Sequence, residues 1–204
     1  MQVARPVMRP SWDYPDGLPV RVGGPVVLEC AHAHERGVAM IQKKICLVGV
    51  FGTGKTSLVR QFIYSKFSEK YHSTVGVKID RKEVDVAGTL VNLLLWDLAG
   101  QDEFEKTRGS YLRGSSGIFF VLDGTRRETL TELAGLRALV QQTLGPVPAA
   151  MAINKADLED QWQLGDADVR GLLGEGRRAF RTSAKTGAGV DEAFLWLAGQ
   201  TLKA

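Results

Sequence analysis

The chain has 204 residues, 44% of them hydrophobic and 24% charged, with a formal net charge of +3. These are the proportions of a soluble globular protein with a sizeable core, one or two domains long. The small net charge, with no basic run interleaved with aromatics, argues against a nucleic-acid partner. Two cysteines make no disulfide framework, and the longest apolar runs are strand-length, too short to span a bilayer.

In chain order, residues 1–40 stand apart. They hold five of the seven prolines (Pro6, Pro10, Pro15, Pro19 and Pro25), and four arginines balance four acids. The prolines interrupt any signal-peptide core. This Pro-rich segment is expected to be a disordered or misassigned extension, with Met40 an alternative start. Cys30, His32 and His34 put metal-ligand types on alternate positions, but a fourth ligand is missing. Residues 41–204 are expected to form the one folded domain.

Lys44–Val48 reads as a short buried strand. Gly49-Val50-Phe51-Gly52-Thr53-Gly54-Lys55-Thr56 follows it and fits G-x-x-x-x-G-K-[ST], the phosphate-binding P-loop. Its glycines let the backbone curl so that N–H groups point inward at phosphate oxygens. Lys55 can reach the outer phosphates, and the Thr56 hydroxyl can ligate Mg²⁺. A helix from Lys55 to about Phe67 brings its positive dipole end to the same place. Val75–Val86 and Leu90–Leu98 read as an antiparallel hairpin about Ala87-Gly88. Gly117–Leu122 is a near-continuous apolar run, as a doubly covered parallel strand requires.

Glu128–Leu144 reads as a helix with Leu130, Leu133, Leu136 and Val140 inward, stopped by Gly145-Pro146. Ala149–Ile153 is a strand carrying Asn154 just past its end. A short helix near Asp166–Leu173 and a strand near Arg178–Thr182 come next. Val190–Leu202 closes the domain as a helix with Phe194, Leu197 and Leu202 inward. The fold class is α/β, a P-loop NTPase with a doubly wound, mainly parallel six-stranded sheet and one antiparallel edge strand.

Four further segments follow the P-loop in fixed order: His72-Ser73-Thr74-Val75-Gly76-Val77, Trp96-Asp97-Leu98-Ala99-Gly100-Gln101, Asn154-Lys155-Ala156-Asp157 and Thr182-Ser183-Ala184-Lys185. With them the chain, from Ile41 onward, resembles the small GTPases of the Ras superfamily, and among these the Rab-type members. The chemistry agrees. Guanine presents N1–H and an exocyclic amine side by side, and the Asp157 carboxylate can accept both, a pairing that adenine cannot offer.

The resemblance implies more. Asn154 bonds the base edge and ties its loop to the P-loop. The Lys155 stem covers the sugar and base face, the Ala184 N–H meets the guanine carbonyl, and Lys185 covers the other face. Phe67 matches the family aromatic that packs on guanine, against an ordinary core aromatic at the end of the first helix. Gly49, Gly52, Thr53, Gly54, Ser57 and Ser183 complete the nucleotide-binding set. Mg²⁺ is implied as cofactor, held by Thr56, Thr74 and, through water, Asp97. Gly100 meets the γ-phosphate, Gln101 orients the attacking water, and Lys55 assists catalysis. The segments about Tyr71–Lys78 and Gly100–Arg113 are expected to switch with the nucleotide.

The expected function is therefore a slow GTPase switch that binds GTP and GDP, effectors, an activator and an exchange factor, and acts as a cytoplasmic monomer. The competing reading is a non-hydrolysing GTP-binding scaffold. Phe51 departs from the smaller residues common at its position and is expected to crowd the entry of an activator's arginine. The chain ends Gln200-Thr201-Leu202-Lys203-Ala204, with no cysteine to prenylate, so no intrinsic membrane anchor is expected. An unlipidated end resembles the Ras-like GTPases of bacteria.

Overall fold

A computed structural model of the protein describes residues 41–68, 74–98, 108–170 and 178–204. The Pro-rich segment, with Cys30, His32 and His34, lies outside the described residues.

Strand β1 (Ile41–Val48) runs into helix α1 (Lys55–Tyr64), and then come β2 (Val77–Val86), β3 (Thr89–Leu98) and the short α2 (Arg108–Leu112). Next in the chain are β4 (Gly117–Asp123), α3 (Glu128–Leu144), β5 (Ala149–Asn154), a 3₁₀ turn at Glu159–Gln161, α4 (Asp166–Arg170), β6 (Arg178–Arg181) and α5 (Val190–Lys203). The six strands lie in the order β2-β3-β1-β4-β5-β6. Only β2 runs antiparallel; the other four pairings are parallel. This is the α/β architecture expected, with one antiparallel strand at the edge.

Burial explains the strand assignments. Every residue of β4 and of β5 is buried, because helices cover both faces of a parallel sheet. One face packs Leu58, Val59 and Phe62 of α1 with Phe194 and Leu197 of α5. The rings of Phe62, Phe194 and Phe119 stack there, with centroids 4.3 and 4.2 Å apart. Leu112 of α2 with Leu133, Leu136 and Val140 of α3 covers the other face. Ala87 (φ 53°) and Gly88 (φ 84°) form the two-residue turn of the β2–β3 hairpin, whose positive φ angles match the strand twist.

Several boundaries differ from expectation. β1 starts at Ile41, three residues before the expected Lys44, because Ile41 already pairs with Val91. α1 stops at Tyr64 rather than Phe67, because Ser65 turns left-handed (φ 50°) and its N–H caps Gln61 O. Thr129 is buried in α3, whereas Leu130 is only half-buried. The Thr129 hydroxyl donates to Arg126 O at 2.7 Å, which satisfies it in the interior. In α5 the inward face is Ala193, Phe194, Leu197, Ala198 and Thr201, and Leu202 sits at its margin. Residues 171–173 of the helix expected near Asp166 lie outside the described residues.

Candidate functional site

The site gathers where β1, β3, β4, β5 and β6 end, at the carboxyl edge of the sheet, where ligands bind in such folds. The P-loop bridges β1 and α1. Gly52 (φ 76°) and Gly54 (φ 93°) take left-handed conformations. A Cβ on Gly49 would collide with Val121 O, and one on Gly54 with Asn154 Nδ2. The loop therefore lies tight against β4 on one side and β5 on the other. Lys55 is 6% exposed, and its ammonium donates to Gly49 O at 2.9 Å and Val50 O at 3.0 Å. Thr53 is buried, its hydroxyl donating to Val50 O at 3.0 Å. The first turn of α1 contains no acidic residue and its start has no side-chain cap. That leaves the positive helix end for an anionic ligand. Ser57 sits half-buried in that turn.

Three oxygens converge beside it. Thr56 Oγ1 lies 2.6 Å from Thr74 Oγ1 and donates to Asp97 Oδ2 at 2.5 Å, and Thr74 Oγ1 stands 3.4 Å from the same carboxylate oxygen. Asp97 is fully buried. Burial pushes its carboxyl above the usual range, and hydrogen bonds from Thr56 and Thr74, with the charges of Lys55 and Lys78, partly offset that. Asp97 Oδ1 is buried with no hydrogen-bond partner among the described residues. Two hydroxyls and a carboxylate with an unsatisfied oxygen form a hard donor set, and it suits Mg²⁺.

At the ends of β5 and β6, Asn154 is the junction. Its Nδ2 donates to Thr53 O at 2.9 Å, and its Oδ1 accepts from Ala184 N at 3.1 Å and Thr182 Oγ1 at 3.5 Å. One buried side chain thus joins the P-loop, the end of β5 and the loop after β6. Ser183 Oγ donates to Asp157 Oδ1 at 2.5 Å and accepts from Thr186 N at 3.1 Å, which aims the carboxylate. Lys155 takes a left-handed φ of 70°, and its ammonium lies 2.6 Å from Asp123 Oδ2. Lys185 is exposed. Phe67 lies beyond the end of α1 and is 41% exposed, so it is not a core aromatic. Gly100 and Gln101 lie outside the described residues.

The sequence motifs missed Asp123, Arg126, Gly124 and Trp162. Asp123 ends β4 wholly buried, in contact with Lys155, Thr125 and Arg126. Burial raises its carboxyl, but those partners outweigh burial and hold it below the usual carboxylate range. Trp162 packs so closely on Gly124 that a Cβ there would enter its ring. Arg181 stacks on the same ring at 4.2 Å. The one available signal was the charge at the end of the apolar run Ile118–Leu122.

The Ras family model matches residues 44–203 of this chain, an interval that contains every site residue named here. Ras-related protein Rab-4B of Homo sapiens is 36% identical over 154 residues, covering 74% of this chain and 72% of that protein. Rab-13 of Canis lupus familiaris is 34% identical over 161 residues, covering 78% and 79%. Rab-4 of Dictyostelium discoideum is 36% identical over 154 residues, covering 74% and 75%.

Proposed function

This chain belongs to the Ras family and is Rab-like within it, a guanine-nucleotide switch that hydrolyses GTP, and we propose which of its residues carry that activity. The P-loop, with Gly49, Gly52, Thr53, Gly54, Lys55, Thr56 and Ser57, cradles the phosphates. Phe67, Asn154, Lys155, Asp157, Ser183, Ala184 and Lys185 hold and select guanine. Ras-family GTPases generally use Mg²⁺; here Thr56, Thr74 and, through water, Asp97 would hold it, and it would neutralise charge on the outer phosphates. Lys55 supplies a second positive charge to those phosphates. Gln101 orients the attacking water and the Gly100 N–H meets the γ-phosphate. Thr74 and Gly100 then sense whether that phosphate is present, which couples hydrolysis to the switch segments. Effectors, an activator and an exchange factor read those segments, and the protein works as a cytoplasmic monomer. No described helix is long and apolar enough to cross a membrane.

The observation that supports this reading best is the Asn154 junction. A residue of the proposed base-reading segment bonds the P-loop backbone directly, so the two subsites adjoin, as a single nucleotide spanning both would require. Asp157→Asn tests the base. An amide accepts at only one atom, so the variant should lose GTP and gain xanthosine triphosphate, whose 2-carbonyl can accept from it. Competition binding with both nucleotides and ATP measures this. Unchanged preference for GTP would remove Asp157 from the site.

A further inference from the structure

Asp123 belongs to none of the motifs that mark the site, yet it touches both halves of it. It is the last residue of β4 and fully buried. Oδ2 accepts from Arg126 Nε at 2.9 Å and lies 2.6 Å from Lys155 Nζ. Oδ1 accepts from Thr125 N at 3.0 Å and from Thr125 Oγ1 at 2.7 Å. Arg126 carries the contact onward: its Nη2 donates to Phe51 O at 2.8 Å, on the crest of the P-loop. A Cβ built on Gly52 would stand 3.4 Å from that same nitrogen.

One carboxylate therefore holds two cations with different duties. Lys155 belongs to the segment that reads the base. Arg126 grips the P-loop backbone from outside. Burying a carboxylate is costly unless it is paired and hydrogen-bonded, and here both oxygens are saturated. Exposed ion pairs contribute little, but this acceptor is removed from water. The guanidinium is suited to the bridge because its rigid fork serves two acceptors at a fixed angle. A lysine ammonium on a flexible stem does not.

We propose that Asp123 and Arg126 are positioning residues for nucleotide retention: Arg126 fixes the crest of the P-loop, and Asp123 sets Arg126 and Lys155 together, keeping phosphate and base subsites in register. This rests on the reading that guanine nucleotide occupies the P-loop. The pair acts on the P-loop backbone and not on the Thr56–Thr74–Asp97 cluster. Its loss should therefore speed release of nucleotide whether or not the metal is present.

The test is the release of fluorescently labelled GDP from the full chain into excess GDP, with Mg²⁺ and again with the metal chelated. Arg126→Ala should raise the dissociation rate about tenfold or more, by the same factor in both conditions, with an unchanged circular dichroism spectrum. Arg126→Lys keeps the charge without the fork and should stay within about threefold of Arg126→Ala. Asp123→Asn should match or exceed Arg126→Ala, and adding Arg126→Ala to it should change the rate by less than about threefold, because contacting residues in one network are not additive. A rate for Arg126→Ala within twofold of wild type, complete rescue by Arg126→Lys, or an effect that vanishes on chelation overturns the proposal. Should Asp123→Asn fail to fold, the two Arg126 variants decide alone. A wild-type chain that holds no labelled GDP would instead overturn the nucleotide-site reading itself.

Discussion

Thr56 shows how much one hydroxyl can carry. It stands within hydrogen-bond distance of both Thr74 and Asp97, so it orders the oxygen cluster as well as contributing to it. Thr56→Asn puts a longer amide in that place. Mg²⁺·GTP affinity should fall by roughly tenfold or more beyond any loss for GDP, because the γ-phosphate complex leans more on the metal. Equal losses, measured by titration calorimetry, would point to general misfolding. Gln101→Leu keeps the bulk but cannot align water. Single-turnover hydrolysis should slow at least about tenfold, roughly 1.4 kcal/mol of barrier, while GTP affinity holds, as the proposed role in the transition state requires. An unchanged rate would take Gln101 out of the mechanism. Phe51 is 50% exposed, so its ring is presented at the surface of the P-loop, where an approaching activator would meet it.

At the scale of elements, the loop after β4 is braced by a ring rather than by chain regularity. Trp162 lies on Gly124, its Nε1 donates to Leu164 O at 2.7 Å, and Arg181 stacks on its ring. Gly124→Ala would drive a methyl into that ring, and overpacking of this kind costs about 1–3 kcal/mol. The urea midpoint should fall with the slope unchanged; an unaltered midpoint would mean the ring yields freely. Nothing local in the sequence announces this brace, because Gly124 and Trp162 meet only once the chain has folded. The same holds for Asp123, whose partners Lys155 and, through Arg126, Phe51 are far from it in sequence. By contrast the P-loop, the hairpin turn at Ala87-Gly88 and the buried run of β4 were legible, since each is set by neighbours a few residues away. The end of α1 was not, because Ser65 adopts the left-handed cap without the glycine that usually signals one.

For the whole molecule, every proposed nucleotide-site residue lies between Gly49 and Lys185, and the Ras family model matches residues 44–203. A chain beginning at Met40 should therefore fold and bind GTP with affinity within about threefold of the full chain, an estimate that takes distant sites as additive. Equilibrium binding and thermal melting check this; a large drop in melting temperature would show that residues 1–39 support the domain.

The strand order also bears on how quickly the chain can reach this state. β2 and β3 meet across a two-residue turn, and hairpins of that kind close in microseconds. β1 sits at the centre, with Ile41 opposite Val91 and Ile45 opposite Gly117, so its two neighbours must be recruited from far along the chain. Such distant pairings lose much chain entropy before any contact repays it, and they slow folding. The strand that launches the phosphate loop is thus among the last to gain both its neighbours. Ligand can capture the chain only after that point, so added nucleotide should retard unfolding more than it accelerates folding.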